Sequence, residues 1–338
     1  MLELNRLYDE DVLTLGQKAD KIRREKYGKK LFFNSNMHVN PTNICKDVCK
    51  FCAFSASRKN PNPYEMSMDE IMHNIGEKAS EITEVHIVGA HNSKMGLKFY
   101  SELFNEIKKS FPHLHVKALT AAEVNFISEL ENMSYEAVLE AMANSGVDSM
   151  PGGGAEIFDE KTRAYIAKGK VSSENWLRIH ELWHKMGKKS NATMLFGHVE
   201  NREHRIDHML RIKELQDKTG GFNAFIPLVY NTQNNFLNVP HAVTGQEILK
   251  TMAISRIILD NVPHIKAYWV AASLNLALVA AEFGADDLDG TIQVESIISK
   301  AGAASKGGVS KNALVSHIKD AGFNPVERDS LYNELRAY

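Results

Sequence analysis

Cysteine is scarce in this chain. Its 338 residues contain three, at Cys45, Cys49 and Cys52, all inside the run NPTNICKDVCKFCAFS. An odd count excludes a framework in which every cysteine is paired as a disulfide. The opening MLELNRLYDEDV lacks the apolar segment of a secretory signal, so reduced thiols in a cytoplasmic protein are expected. A long hydrophobic run is missing too, since none approaches the ~20 residues of a membrane-crossing helix. The most apolar window, Ala267 to Phe283, is interrupted by Ser273, Asn275 and Glu282 and reads as a buried element. Charge of one sign is not in excess. Lys and Arg number 40 against 42 Asp and Glu, a formal charge of −2, which gives no electrostatic reason to expect nucleic acid or an anionic membrane as partner. Neither a GxGxxG run nor a P-loop ending in Gly-Lys-Ser/Thr occurs.

What is present is the CxxxCxxC spacing. Three thiolates can hold a 4Fe–4S cluster at three irons and leave the fourth free to bind and reduce a small molecule, whereas four cysteines would serve electron transfer. A zinc site completed by the nearby His38 is the alternative metal reading. Three ordinary buried thiols are the bland one. The crowding of the cysteines between Asn40, Pro41, Asn43, Lys46 and Lys50 favours the cluster.

At 43% hydrophobic and 24% charged residues the composition is that of a globular protein, and its pattern alternates strand and helix, the mark of parallel βαβ units. Strands are expected at 33–39, 84–89, 115–119, 148–150, 191–196, 222–227, 265–270 and 288–292. Helices are expected at 3–26, 67–79, 97–110, 135–144, 172–187, 202–218, 244–260, 271–283 and 309–321, followed by a polar tail. Eight such units predict an α/β fold, a (β/α)8 TIM-like barrel with an N-terminal helix; a partial (β/α)6 barrel with a C-terminal extension is the alternative. The expected division is an N-terminal helical extension over 1–30, the barrel over 31–300 and a C-terminal helical segment over 301–338. In such barrels chemistry sits at the C-terminal ends of the strands, and the cysteine run directly follows the first.

The other strand ends supply candidates. Gly89 and Ala90 close strand two and let main chain approach a ligand, with His91 beside them. Glu123, after strand three, is either a ligand for a ribose or substrate or a glutamate opening a helix. Met150-Pro-Gly-Gly-Gly-Ala-Glu156 suits close approach of backbone to a ligand at Gly153, with the Glu156 carboxylate facing it. His198, after strand five, is a candidate acid–base group. His180, His184, His204 and His208 are expected on helix surfaces. The amide-rich loop after strand six offers Asn231 and Asn234 as uncharged hydrogen-bonding groups, with simple turn chemistry as the alternative.

With Phe51 preceding its last cysteine, CxxxCxxC resembles the signature of the radical S-adenosylmethionine superfamily. That resemblance implies S-adenosylmethionine chelated at the open iron, cleavage to a 5′-deoxyadenosyl radical, Phe51 against the adenine edge, and the Gly89–Ala90 turn near the methionine amino group. Thr193-Met-Leu195-Phe-Gly197-His-Val-Glu200 is similar to the superfamily's GxIxGxxE element, with Thr193 in place of the first glycine; Leu195 would touch adenine and Gly197 permit close approach. HVNPTNIC, CKFCAFS, KALTAAE, MPGGGAEIF, ATMLFGHVE and IPLVYN together resemble the group holding aminodeoxyfutalosine synthase, dehypoxanthine futalosine cyclase and the deazaflavin-forming synthases. CAFSA and PGGGAEIF favour the first. The resemblance implies addition of the adenosyl radical to 3-[(1-carboxyvinyl)oxy]benzoate in menaquinone biosynthesis, with flavodoxin or ferredoxin as electron donor. Arg58, Lys59, His91 and Asn231 are candidate partners for the substrate's carboxylates. An iron–sulfur electron carrier or a zinc-stabilised binding module is the reading from another class.

Overall fold

Short apolar runs separated by capped helices impose a strand–helix rhythm. Most of the helices begin on a residue whose side chain accepts an N–H of the first turn, among them Ser67, Thr120, Ser172, Asn201, Thr244 and Ser310. Each such cap stabilises its helix by about 1 kcal/mol. The computed structural model describes residues 2–302 and 308–338.

The first barrel strand runs over Lys30–Asn34 and, beyond Ser35, Asn36–Val39. Glu84–Ile87, His115–Ala118, Ser149–Met150, Lys189–Phe196, Phe222–Val229, His264–Ile265 and Asp287–Gly290 follow. From Asn36–Val39 to His264–Ile265 they form one seven-stranded parallel sheet in chain order. The eighth strand closes it. Asp287–Gly290 pairs with Lys30–Asn34 on one side, and Lys266 bridges Asp287 on the other. A further parallel bridge joins Gln293 to Met37. The barrel therefore has eight strands, all of them expected, and the six-unit alternative falls.

Helices depart from expectation in several places, and the one expected at 271–283 is split into Trp269–Ala272 and Leu274–Ala281. The N-terminal helix is broken: Leu2–Asn5 and a 3-10 turn at Arg6–Asp9 precede Val12–Tyr27, restarted by the Asp11 cap. Ala121–Glu131 and Glu160–Ile166 are additional helices. The former is buried almost all round its first seven residues, which hides the helical period. A further departure is at the C-terminus, which is not only helical. After Lys311–Asp320, Asn324–Arg328 pairs in parallel with Lys30–Asn34 and turns back through Glu334–Ala337. Arg328 is fully buried against Asp287, and Ser330 bonds Glu84, so this hairpin closes the end of the barrel opposite the cysteines.

Three of the four helical histidines are likewise not on surfaces. His180 and His208 are 0% exposed and His184 7%, while His204 is partly exposed. His180 packs on Trp176 with ring centroids 3.8 Å apart, and His208 on Phe158 at 3.8 Å. Imidazoles here fill core space as neutral aromatics, each with a hydrogen bond to spare them the cost of burial.

Candidate active site

The cysteine loop is pinned on both sides. Val48–Cys49 forms a two-residue antiparallel ladder with Ala167–Lys168, which belongs to the excursion after strand four. Lys50 N–H donates to Ile166 O at 2.7 Å, and Phe236 N–H to Lys50 O at 2.6 Å. All three cysteines are partly exposed and line one cavity of about 280 Å³ at the C-terminal mouth of the barrel. Burial raises the Cys45 thiol pKa and pushes that of Cys49 up to about 12. Backbone N–H groups point at two of the sulfurs: His91 to Cys45 Sγ and Ser55 to Cys52 Sγ, both at 3.4 Å.

Beside Cys45 lies a pair the sequence did not disclose. His91 Nδ1 is 2.8 Å from Asp47 Oδ2, and the imidazole stacks on Phe126 at 4.9 Å. Burial opposes the Asp47 charge, but His91, Lys170 and Lys46 together outweigh it and lower the carboxyl's pKa. Cys45, Asp47 and His91 bring their ligand atoms within 4.8 Å of one another. Asp47 and His91 face each other across that 2.8 Å contact and form a clasp between the cysteine loop and strand two. His38, weighed as a zinc ligand, is elsewhere: it sits on strand one with its ring 3.3 Å from His86.

Gly89, Ala90, His91 and Glu123 all line the cavity. Both Glu123 oxygens are engaged by backbone: Oε1 accepts Gly89 N–H at 2.8 Å and Oε2 Thr120 N–H at 2.7 Å, within a reciprocal capping box. The helix-opening role is thus realised, and it also braces the strand-two turn. Burial raises the Glu123 pKa.

The glycine run approaches protein closely. A Cβ on Gly152 would lie 2.7 Å from the backbone carbon of Ala192, and one on Gly153 2.8 Å from Thr120 Cγ2. The run lets the strand-four excursion lie flat against strand five, while Pro151 to Gly154 still face the cavity. Glu156, at φ 46°, turns its carboxylate to Lys170, 2.6 Å away. Burial alone would raise the Glu156 pKa; the charge and hydrogen bond of Lys170, with Arg163 and His198, together reverse that and lower it. Lys170 sits 5.5 Å from the Phe51 ring centre, and both line the cavity.

The strand-five element divides. Thr193 donates to Gly152 O at 2.6 Å, and with Leu195 it faces the cavity. Gly197 and His198 do not. Gly197 takes φ 88°, packs against Val243 and donates to Glu200; His198 is held by Leu195 O at 3.0 Å and Val199 N–H at 2.7 Å. They build the turn, and the geometry gives His198 no acid–base role. Asn231 lines the cavity, whereas Asn234 is exposed and bonds Lys300 O at 2.9 Å.

The barrel floor is polar, which the sequence reading missed. His38, His86 and Lys117 are register partners on three adjacent strands. Lys117 pairs with Glu84, and Lys266 with Asp289 at 3.0 Å. Polar residues alternating with apolar ones in MHV, EVHI and HVKA were the available signal. Elsewhere, His180-Glu-Leu-Trp-His184 has the HExxH spacing of a zinc helix. Both its histidines bond Ser190 Oγ, at 2.8 and 2.7 Å, and Glu181 faces outward to Lys185 and Lys218. The hydroxyl fills the place a metal would need, and the motif is packing.

Residues 39–212 match the family model of the radical SAM superfamily, and 219–337 match that of the CofH/MqnC C-terminal region. The chain is 41% identical to an aminodeoxyfutalosine synthase of Thermus thermophilus over 333 residues, 97% of this chain and 90% of the relative. It is 35% identical to a cyclic dehypoxanthine futalosine synthase of Streptomyces coelicolor over 333 residues, 97% and 83% of the two chains. Crystalline methylornithine synthase shares the fold at a TM-score of 0.77, with 16% identity, 95% of this chain and 92% of that one covered. The superfamily's cofactors are a 4Fe–4S cluster and S-adenosylmethionine. The residues at the barrel mouth suit them: three thiols and no fourth in the chain, two with N–H groups aimed at sulfur, facing one cavity. The chain belongs to the radical S-adenosylmethionine superfamily, in the branch that contains the aminodeoxyfutalosine and cyclic dehypoxanthine futalosine synthases.

Proposed function

We propose that this enzyme is an aminodeoxyfutalosine synthase, converting S-adenosylmethionine, 3-[(1-carboxyvinyl)oxy]benzoate and water into 6-amino-6-deoxyfutalosine, methionine and bicarbonate in menaquinone biosynthesis. The observation that carries the reading is the 41% identity with such a synthase over 97% of the chain. CAFSA and PGGGAEIF favour the synthase over the cyclase, as the sequence suggested.

In this reading Cys45, Cys49 and Cys52 hold the cluster. When bound, the cluster supplies the electron that splits S-adenosylmethionine, drawn from a low-potential flavodoxin or ferredoxin in a reducing cytoplasm. The chain's own task is placement and exclusion of water, because a primary carbon radical reacts with whatever C–H bond is nearest. Phe51, Ala90 and Leu195 form apolar wall for the nucleoside. Gly89, fixed by Glu123, presents main chain to the methionine end. His91, Gly153 and Asn231 face the aromatic substrate. Lys117 and Lys266 are engaged by Glu84 and Asp289, so substrate carboxylates depend on donors nearer the mouth.

Mass spectrometry of an anaerobic reaction with the enolpyruvyl benzoate tests substrate and outcome together. A product containing the adenosyl group is expected. Free 5′-deoxyadenosine in stoichiometric yield, with no adduct, would reject the synthase in favour of the hydrogen-abstracting cyclase.

A further inference from the structure

Among the described residues, Lys170 is the cavity lysine that faces the cysteines. The two-residue ladder joins its loop to the backbone of Cys49 itself, Ala167 opposite Cys49, and Lys170 N–H donates to Ala167 O at 3.1 Å. Its ammonium is 2.6 Å from Glu156 and near the Phe51 ring, with 17% of the side chain exposed. Cys49 and Cys52 are close enough to stabilise the charge, and with Glu156 they outweigh the cost of burial and raise the lysine's pKa. Glu156 holds its carboxylate despite being buried in turn. A fixed ion pair therefore lies against the cysteine loop, its positive end toward the sulfurs, in surroundings where charge is poorly screened.

A cluster core of charge 2+ on three thiolates carries −1 and becomes −2 on accepting one electron. Nearby fixed charge acts directly on that step, since cluster potentials respond to net charge and burial. We propose that Lys170 is a positioning residue whose ammonium, oriented by Glu156, raises the reduction potential of the cluster and so eases its one-electron reduction. Glu156 opposes it, and the pair sets the balance. This rests on the three cysteines being the cluster ligands, and it assigns Glu156 an electrostatic task.

The test is a potentiometric titration of the anaerobically reconstituted enzyme, followed by electron paramagnetic resonance, with dithionite or titanium(III) citrate as reductant. Lys170→Met should shift the midpoint to more negative potential, because it leaves the Glu156 charge uncompensated. Glu156→Gln should shift it the other way. The double variant should return close to the wild type, and Lys170→Arg should stay there. A purely structural role would lower iron per chain in every variant without this pattern of signs. Midpoints that coincide in both single variants, or that move together in one direction, overturn the proposal. Where Lys170→Met does not load a cluster, Glu156→Gln alone decides, a positive shift supporting the proposal and no shift overturning it. Wild-type protein that takes up no iron at all removes the ligand assignment beneath it, an outcome distinct from a loaded cluster with an unmoved potential.

Discussion

Cys45, Cys49 and Cys52 contribute little to the folded chain's own packing: all three are partly exposed, on a loop pinned by main-chain bonds. Replacing any one by alanine should abolish iron loading and turnover, yet shift the thermal midpoint of the metal-free protein by no more than a few degrees, since substitutions outside a core usually stay within about 0.5 kcal/mol. Iron quantitation and calorimetry check both halves; a single variant with full activity would remove its cysteine from the ligand set. The same residue scale explains why the site was half legible. Spacing announces a candidate ligand triplet, because thiols that share one cluster must lie close together in space. Lys170 and Asp47 carry no such signature. Their roles come from which strand ends meet across the barrel mouth, and no local pattern records that.

Among elements, the excursion after strand four matters most. Its glycines let it lie on strand five, and its return leg clamps the cysteine loop. Gly152 meets the Ala192 backbone where a methyl group would be, and backbone cannot step aside as a flexible side chain can. Gly152→Ala should therefore cost about 1–3 kcal/mol by overpacking and speed the loss of iron to a chelator, whereas Gly245→Ala, with nothing near its Cβ position, should leave iron retention unchanged. Equal iron-loss rates in the two variants would refute the clamp. Strand and helix positions were readable because period and caps are local properties: Ser67-Met-Asp-Glu70 does form the capping box it spells. Ala121–Glu131 was missed for the converse reason, as burial on nearly every side of its first turns erases amphipathic contrast.

At the scale of the whole molecule, closure of the barrel end is the feature to challenge. Arg328 and Asp287 are both fully buried and joined side chain to side chain, linking the C-terminal hairpin to the eighth strand. Asp287→Asn should lower stability by about 3–5 kcal/mol, because it strands a buried guanidinium. Urea unfolding will show it; a change under about 1 kcal/mol would mean the tail is not integral to the fold. A second whole-molecule property is sensitivity to mild acid. Burial lowers His184 and His208 to about 3. The folded protein keeps them neutral while the unfolded chain protonates them below about pH 6.5, so their stabilisation is complete above that pH. Below it, stability falls by about 1.4 kcal/mol per pH unit for each. Asp289, lowered to about 2 by Lys266 and Lys117 against the cost of burial, adds a loss only between its ordinary value near 4 and about pH 2. The thermal midpoint should decline between pH 6.5 and 5; a flat profile there would sink the account.

The chain's sequence by itself determined the cysteine triplet, the eightfold strand–helix rhythm and the end of the barrel at which chemistry belongs, because each depends on spacing along one segment. Tertiary structure alone decided that His198, Gly197 and Asn234 stay outside the cavity, that the C-terminal tail seals the far end, and that Lys170 shares a cavity with the cysteines. Those outcomes depend on which segments distant in sequence close round a common axis, and on which charges burial forces to find a partner.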